Sequence, residues 1–330
     1  MHHAGENPRP SNVMYTPRTP QMRQRQRFNL STMPVNEENV MGLEGLIRKT
    51  WNIYAVSALF DFQQDDIYLK LYAKKLREEI ASTLSRENVT YDAKFSIMED
   101  VVPTPNHENH PAIKIEVLAK ISDQEKEREK SLYQGILLSW RITTEAEPNI
   151  ENQIRLPLLL CSGTNTCIAA VHDTISRMFD CLIIALSTKE YDLSWLVPII
   201  IMTNKEEPVV SGEVKMMYTV QLPVTDTITV KFQSADLRKI LLAIITNQDN
   251  DDNIILDRSH IELFFEVLHK QMLMCGGLEL GLCTLHRIDL PGITITENKM
   301  KLVNIEIMNN VLSYLNEKAL DIFHTVHIDI

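Results

Sequence analysis

The chain has 330 residues, 44% of them hydrophobic, a net charge of −11 and five cysteines. That composition supplies a sizeable core and excludes a globally disordered protein, and the length fits two domains or one large domain with a tail. The odd cysteine count, with no CxxC pair and no apolar h-region after Met1, is the pattern of reduced thiols in the cytosol or nucleus. The longest apolar runs, such as Leu196–Met202, are too short for a membrane span and contain Pro198, so no membrane partner is expected. The charge is uneven. Residues 1–36 carry Arg9, Arg18, Arg23, Arg25 and Arg27 against Glu6 alone, +4, which leaves −15 for the rest. A body that acidic does not wrap nucleic acid over a broad face by itself; direct contact needs the tail, a local basic patch or a basic partner.

In chain order, residues 1–38 form a basic tail rich in Pro, Gln and Asn with no hydrophobic period, and are expected to be disordered. Thr16-Pro17 and Thr19-Pro20 flank Arg18 and fit proline-directed phosphorylation at Thr16 and Thr19, although such pairs are common in any tail of this composition. Arg23, Arg25 and Arg27 offer a few phosphate contacts and no base readout.

Folded structure is expected as two α+β lobes, residues 39–208 and 209–330, with mainly antiparallel sheets and packed helices. Residues 40–50 have helical character, followed by an aromatic cluster at Trp51, Tyr54, Phe60 and Phe62. Leu69, Tyr72, Leu76 and Ile80 share one face of a helix. Tyr91–Met98 has strand character. The alternating stretches Ala112–Ile121 and Leu132–Ile142 suggest a hairpin closed by a charged loop, Ser122–Lys130. Leu156–Cys161 is a short apolar strand. The next helix turns Ile168, Val171, Ile175, Met178, Phe179 and Leu182 inward, while Ser194–Met202 suits strand and helix equally.

Beyond residue 209, Val214–Leu222 and Thr227–Phe232 suggest antiparallel strands, with Ser234 capping a helix. Ser259-His260-Ile261-Glu262 has the form of a capping box opening another helix, and Cys275-Gly276-Gly277 stops it. Strands over Leu278–Ile288 and Gly292–Ile305 follow, then a helix with Met308, Val311, Leu312, Leu315 and Ala319 on one face. This terminal unit would present an open sheet edge, a template for strand addition by a partner. Leu285, Arg287, Ile293, Ile295, Lys299 and Lys301 are the residues placed on that interface.

Sites for chemistry are weak. Ser162-Gly163-Thr164-Asn165-Thr166 sits between strand and helix where a phosphate could rest on backbone N–H groups. It lacks the second glycine and the lysine of a P-loop, and a turn glycine plus a helix cap explains it. His107-Glu108-Asn109-His110 has the wrong spacing for HExxH. Cys161, Cys167 and His172 could converge on a metal, but a strand cysteine and a helix-opening cysteine are better explained by packing. Trp51, Trp140 and Trp195 lie in apolar segments and are expected in the core. No nucleophile signature occurs. An enzyme is not expected, and neither is a cofactor or a metal.

Four blocks stand out together: Lys49-Thr50-Trp51-Asn52-Ile53-Tyr54 with Leu59 and Phe62; Phe179-Asp180-Cys181 followed by Asp192-Leu193-Ser194-Trp195; Thr227–Phe232 running into Ser234-Ala235-Asp236-Leu237; and the closing order of helix, two strands and a helix ending in Val311-Leu312-Ser313-Tyr314-Leu315. In that order they resemble the centromere protein L family of the inner kinetochore. The resemblance runs from about residue 46 to 323 and is thin over 85–111 and 204–222. It implies a nuclear, non-enzymatic scaffold subunit at the centromere, forming a heterodimer with a centromere protein N-like subunit through the C-terminal sheet. It further implies contact with centromere protein C, with the group containing centromere proteins H, I, K and M, and with the centromeric nucleosome or its DNA mainly through the complex. Self-association of the fungal relative through the same region adds a homodimer to what it implies.

Overall fold

A computed structural model describes residues 27–30, 44–85, 88–98, 110–123, 126–140, 152–203, 212–220, 226–245 and 254–326. Among them are six helices and fifteen strands in an α+β arrangement. The first half contributes β1 (Arg27–Leu30), β2 (Thr50–Val56), β3 (Leu59–Phe60), α1 (Asp66–Leu84), β4 (Val89–Met98), β5 (Ala112–Asp123), β6 (Lys126–Leu138), β7 (Gln153–Ile154), β8 (Leu158–Gly163), α2 (Asn165–Phe179), β9 (Ile183–Ala185) and α3 (Glu190–Ile201). The second contributes β10 (Glu213–Thr219), β11 (Thr227–Gln233), α4 (Ser234–Ile245), β12 (Ile254–Asp257), α5 (Arg258–Gly276), β13 (Thr284–Leu290), β14 (Ile293–Thr296), β15 (Lys299–Leu302) and α6 (Ile305–Val326).

Eleven of the strands form one antiparallel sheet in the order β11-β10-β13-β14-β15-β2-β8-β6-β5-β4, with β9 also on β2. Residues opposite one another on neighbouring strands share a face, so the register can be walked across the molecule. One face runs Phe95, Ile115, Gly135, Cys161, Asn52, Lys299, Thr296, Arg287, Met217, Thr229. It begins apolar, beneath α1 and α2, whose Leu69, Leu76, Ile80, Val171, Ile175 and Phe179 complete one hydrophobic core. Among the described residues it ends mostly polar and bare, with no helix over it. The opposite face runs Ile136, Leu160, Ile53 and, from Trp51, on through Met300, Ile295, Ile288, Met216 and Val230. These residues belong to a second, larger core with α3, α4, α5 and α6. The helices therefore roof opposite faces of the sheet at its two ends.

In the middle, β8 is covered on both sides. Leu158 and Leu160 belong to one core, Leu159 and Cys161 to the other. A strand without a solvent face needs no polar alternation, which is why Leu156–Cys161 is a continuous apolar run. The two cores also do not divide near residue 208. Trp51, Ile53, Leu158 and the whole of Leu193–Ile201 except Pro198 and Ser194 pack with the C-terminal strands.

α3 settles the segment that suited strand and helix equally. Glu190 and Asp192 place negative charge in its first turn, and Asp192 accepts a hydrogen bond from the Lys189 N–H at 2.8 Å. Pro198 stands inside it and costs the helix one hydrogen bond, the one its missing N–H would donate to the Ser194 carbonyl. α6 is buried on nearly every side from Ile307 to Ala319, because it lies against β2, β8 and β15 and is enclosed by α3 and by Phe28 of β1, whose ring lies 6.0 Å from that of Tyr314.

Several expectations are corrected. Residues 44–48 form turns rather than a helix, with Leu46 buried and its carbonyl accepting the Trp51 indole N–H at 2.7 Å. The charged Ser122–Lys130 run is mostly paired strand: β5 reaches Asp123 and β6 starts at Lys126. Leu182 lies beyond the end of α2 and is 56% exposed. α5 is capped by Asp257, which accepts from the His260 N–H at 2.9 Å, and not by Ser259. Leu280–Leu282 is a 3-10 turn, and Gly292–Ile305 is the hairpin β14–β15 rather than one strand. Part of the expected tail is ordered, since Arg27–Leu30 pairs with β12 and buries Phe28 and Leu30.

Candidate partner-binding surface

The six residues expected at the partner interface divide between the two faces of the sheet. Leu285, Ile293 and Ile295 are at most 2% exposed and point into the larger core. Arg287, Lys299 and Lys301 lie on the bare face with Lys215, Lys231, Thr294 and Thr296. Two of these cations have local counterions: Arg287 pairs with Asp289 at 3.1 Å and Lys231 with Glu213 at 3.1 Å. The result is a flat, polar and locally basic patch on an acidic protein.

The expected open edge is elsewhere. β13, β14 and β15 each have a strand on both sides, because β15 pairs with β2 across some 250 residues of sequence. Among the described residues the sheet ends at β11 on the C-terminal side and at β4 on the other. Among the described residues β11 leaves one row of backbone N–H and C=O groups without a strand partner, and its Thr-Ile-Thr-Val sequence suits further pairing.

Thr16, Thr19, Arg23 and Arg25 lie outside the described residues. Arg27 opens β1, exposed and opposite Asp257 in the register. In the Ser162–Thr166 loop, Ser162 and Gly163 still belong to β8, and the Thr164 N–H donates to the Leu132 carbonyl at 3.1 Å. A Cβ on Gly163 would come within 2.4 Å of that same carbonyl oxygen. The glycine thus serves the close approach of β6, and one N–H a phosphate would need is already committed. Cys161 and Cys167 are fully buried, and burial pushes their thiols up to about 12 and about 11, away from the thiolate a metal requires. His172 is pulled down to about 4 by burial and faces the Tyr133 hydroxyl at 3.3 Å. Of the His107–His110 run only His110 is described. Among the described residues no three His, Cys, Asp or Glu side chains gather as a metal site. Trp51, Trp140 and Trp195 are all core, at 0%, 2% and 0% exposed.

Sequence reasoning missed the polar contacts that tie α6 to the first half of the chain. Asp192 of α3 accepts from Lys318 Nζ at 2.6 Å and from the Tyr314 hydroxyl at 3.1 Å, and Lys318 also donates to the Ser187 carbonyl. Burial lowers the Lys318 pKa, with Asp192 opposing that shift. Asn316 accepts the Trp140 backbone N–H and Asn309 its indole N–H, both at 2.8 Å. Polar residues spaced around an otherwise apolar helix were the available signal.

On the roofed side, α3, α5, β10 and β13 enclose a cavity of about 320 Å³. Trp195, Tyr218, Ile261 and Leu285 form its buried floor, and Tyr191, Phe265 and His269 its half-buried walls, with Glu190, Glu262 and Arg258 at the rim.

These features define an α+β protein whose described residues include a polar sheet face, a strand edge and an aromatic pocket. The family model for Centromere protein L matches residues 45–320. The chain belongs to that family, a family of centromere and kinetochore proteins. It is 28% identical over 158 residues to Centromere protein L from Gallus gallus, a match covering 46% of this chain and 45% of that protein, so the aligned part spans about half the length of the relative. No helix among the described residues is long and apolar enough to cross a membrane.

Proposed function

We propose that this chain is a non-enzymatic scaffold subunit of the inner kinetochore, pairing with a centromere protein N-like subunit through the C-terminal half of its sheet and joining centromere protein C and the H, I, K and M group on centromeric chromatin. The observation that carries the reading is the asymmetry of the sheet. Among the described residues its C-terminal half is roofed on one face only, and ends in β11, an edge strand. A partner strand added at β11 would extend the sheet by main-chain hydrogen bonds, while Arg287, Lys299 and Lys301 on the bare face would supply charge complementarity.

Co-purification with the centromere protein N-like subunit tests it. Thr229→Pro removes an N–H from the edge strand, and Lys299→Glu with Lys301→Glu reverses charge on the bare face. Either is expected to weaken association at least several-fold with the far-ultraviolet circular dichroism unchanged. Undiminished association of both variants would refute the surface assignment.

The cations of the bare face also favour contact with centromeric DNA through the assembled complex. For every phosphate that the complex no longer neutralises, the slope of log affinity against log salt should flatten by about 0.9. A slope unchanged by the double charge reversal rules out DNA contact through this face.

A further inference from the structure

The aromatic pocket has a composition that a simple docking groove for an apolar side chain does not need. Five rings surround about 320 Å³, near the lower end of the range for small-ligand sites and enough for one long side chain. Neighbouring rings meet steeply, as the walls of a box do. Tyr191 and Trp195 stand 6.3 Å apart at 63°, Tyr218 and His269 5.8 Å apart at 73°, and Phe265 and His269 5.9 Å apart at 65°. The Tyr218 hydroxyl and His269 Nε2 lie 3.3 Å apart, which fixes the imidazole in the wall. Burial lowers the His269 pKa, so near neutral pH this wall is an uncharged ring.

The rim carries two carboxylates and one guanidinium. Arg258 is engaged by Glu262 at 2.6 Å. Glu190 Oε1 accepts the Leu285 N–H at 3.2 Å, which holds its carboxylate at the mouth. The floor holds a donor as well, since the Trp195 indole N–H is buried with no acceptor among the described residues. Faces of aromatic rings attract a cation electrostatically, most of all one whose hydration is weak, and the net −1 of the rim acts in the same direction.

We propose that this pocket is an aromatic cage for a methylated lysine side chain of a partner polypeptide, with the quaternary ammonium among Tyr191, Phe265 and His269 and the stem crossing Glu190. A choline headgroup has the same ammonium chemistry. The polypeptide source is favoured because the chain belongs to a family of centromere proteins, and the inference rests on that membership but not on pairing through β11 or the bare face.

The test uses the full chain alone, so its result is separate from any co-purification. Binding is followed by tryptophan fluorescence with four probes: a capped tripeptide with a central trimethyl-lysine, the same peptide with unmodified lysine, its uncharged isostere with carbon in place of the ammonium nitrogen, and phosphocholine. The expected result is saturable binding of the trimethyl-lysine peptide about tenfold tighter than the isostere, weakened several-fold by Glu190→Gln and by Tyr191→Ala. Thermal unfolding checks that both variants fold, and Glu190→Gln, at an exposed position and still able to accept the Leu285 N–H, serves if Tyr191→Ala does not. Equal binding of the isostere would overturn the proposal in favour of a plain apolar pocket. Tighter binding of phosphocholine than of the peptide would overturn the lysine source, and no saturable binding of any probe would overturn the cage itself.

Discussion

Removing one partner of the Asp192–Lys318 pair tests the packing of α6 most directly. Both side chains are 9% exposed and the charged atoms are 2.6 Å apart. In Lys318→Met the stem still fills its space, but Asp192 keeps a buried charge with only the Tyr314 hydroxyl and the Lys189 N–H as donors among the described residues. Breaking such a pair from one side costs about 3–5 kcal/mol, because the remaining ion has no compensating charge. Asp192→Leu strands the ammonium instead and should cost a similar amount. The double variant removes both charges, and its cost should fall well below the sum, leaving a coupling of at least about 2 kcal/mol. Urea unfolding of the four proteins measures each value. A loss below about 1 kcal/mol for Lys318→Met, or additivity in the cycle, would mean that the pair is effectively solvated and that α6 is held by apolar packing alone.

Stability should fall on acidification through His172. Its folded pKa, about 4, lies below the ordinary 6.5 because burial penalises the imidazolium. The unfolded chain therefore takes up this proton first as the pH drops. The contribution is fully present above pH 6.5 and lost progressively towards pH 4, about 3 kcal/mol in all; unfolding titrations of His172→Gln should lose that part of the pH dependence. Gly163→Ala puts a methyl against the Leu132 carbonyl, and a loss of about 1–3 kcal/mol is expected in the same assay. Ile295→Lys and Lys299→Glu sit on adjacent strands with opposite fates. The first buries a charge between Ile288 and Met300 and should prevent folding, whereas the second should stay within about 0.5 kcal/mol of the parent by thermal melting.

Elements with a strong local period were legible. α1, α2 and α6 present the faces their spacing required, and β10 and β11 pair as the alternation suggested. The β14–β15 hairpin was missed because its turn, Glu297-Asn298, contains neither glycine nor proline. The signal was still there: buried positions switch from odd, Ile293 and Ile295, to even, Met300 and Leu302, and a parity change in an alternating run is the mark of a turn or bulge. His286 hides a similar switch between Leu285 and Ile288, where the pairing with β10 shifts register. What no local pattern could supply was the pairing of β15 with β2, or of β1 with β12. Both join distant segments, and both decide which edges remain open.

That long-range pairing also explains why the proposed surface is a sheet face and the β11 edge, and not the edges of β13, β14 and β15. With β2 seated on β15, the strands expected to meet a partner by their edges can do so only by the face that α1 and α2 do not reach. Along the register the same row that runs Phe95, Ile115, Gly135 and Cys161 under those helices turns to Asn52, Lys299, Thr296 and Arg287 as soon as the roof ends. A face destined for solvent alone would show this pattern, and so would one that meets a hydrated, charged partner. The two differ in the edge: a purely solvated sheet is expected to blunt its last strand with proline, a bulge or several charges, and β11, Thr227–Gln233, has Lys231 as its one charge, no proline and no register shift against β10. An edge strand left in that state, beside a bare face with more cations than the acidic remainder of the chain would predict, favours occupancy over solvation.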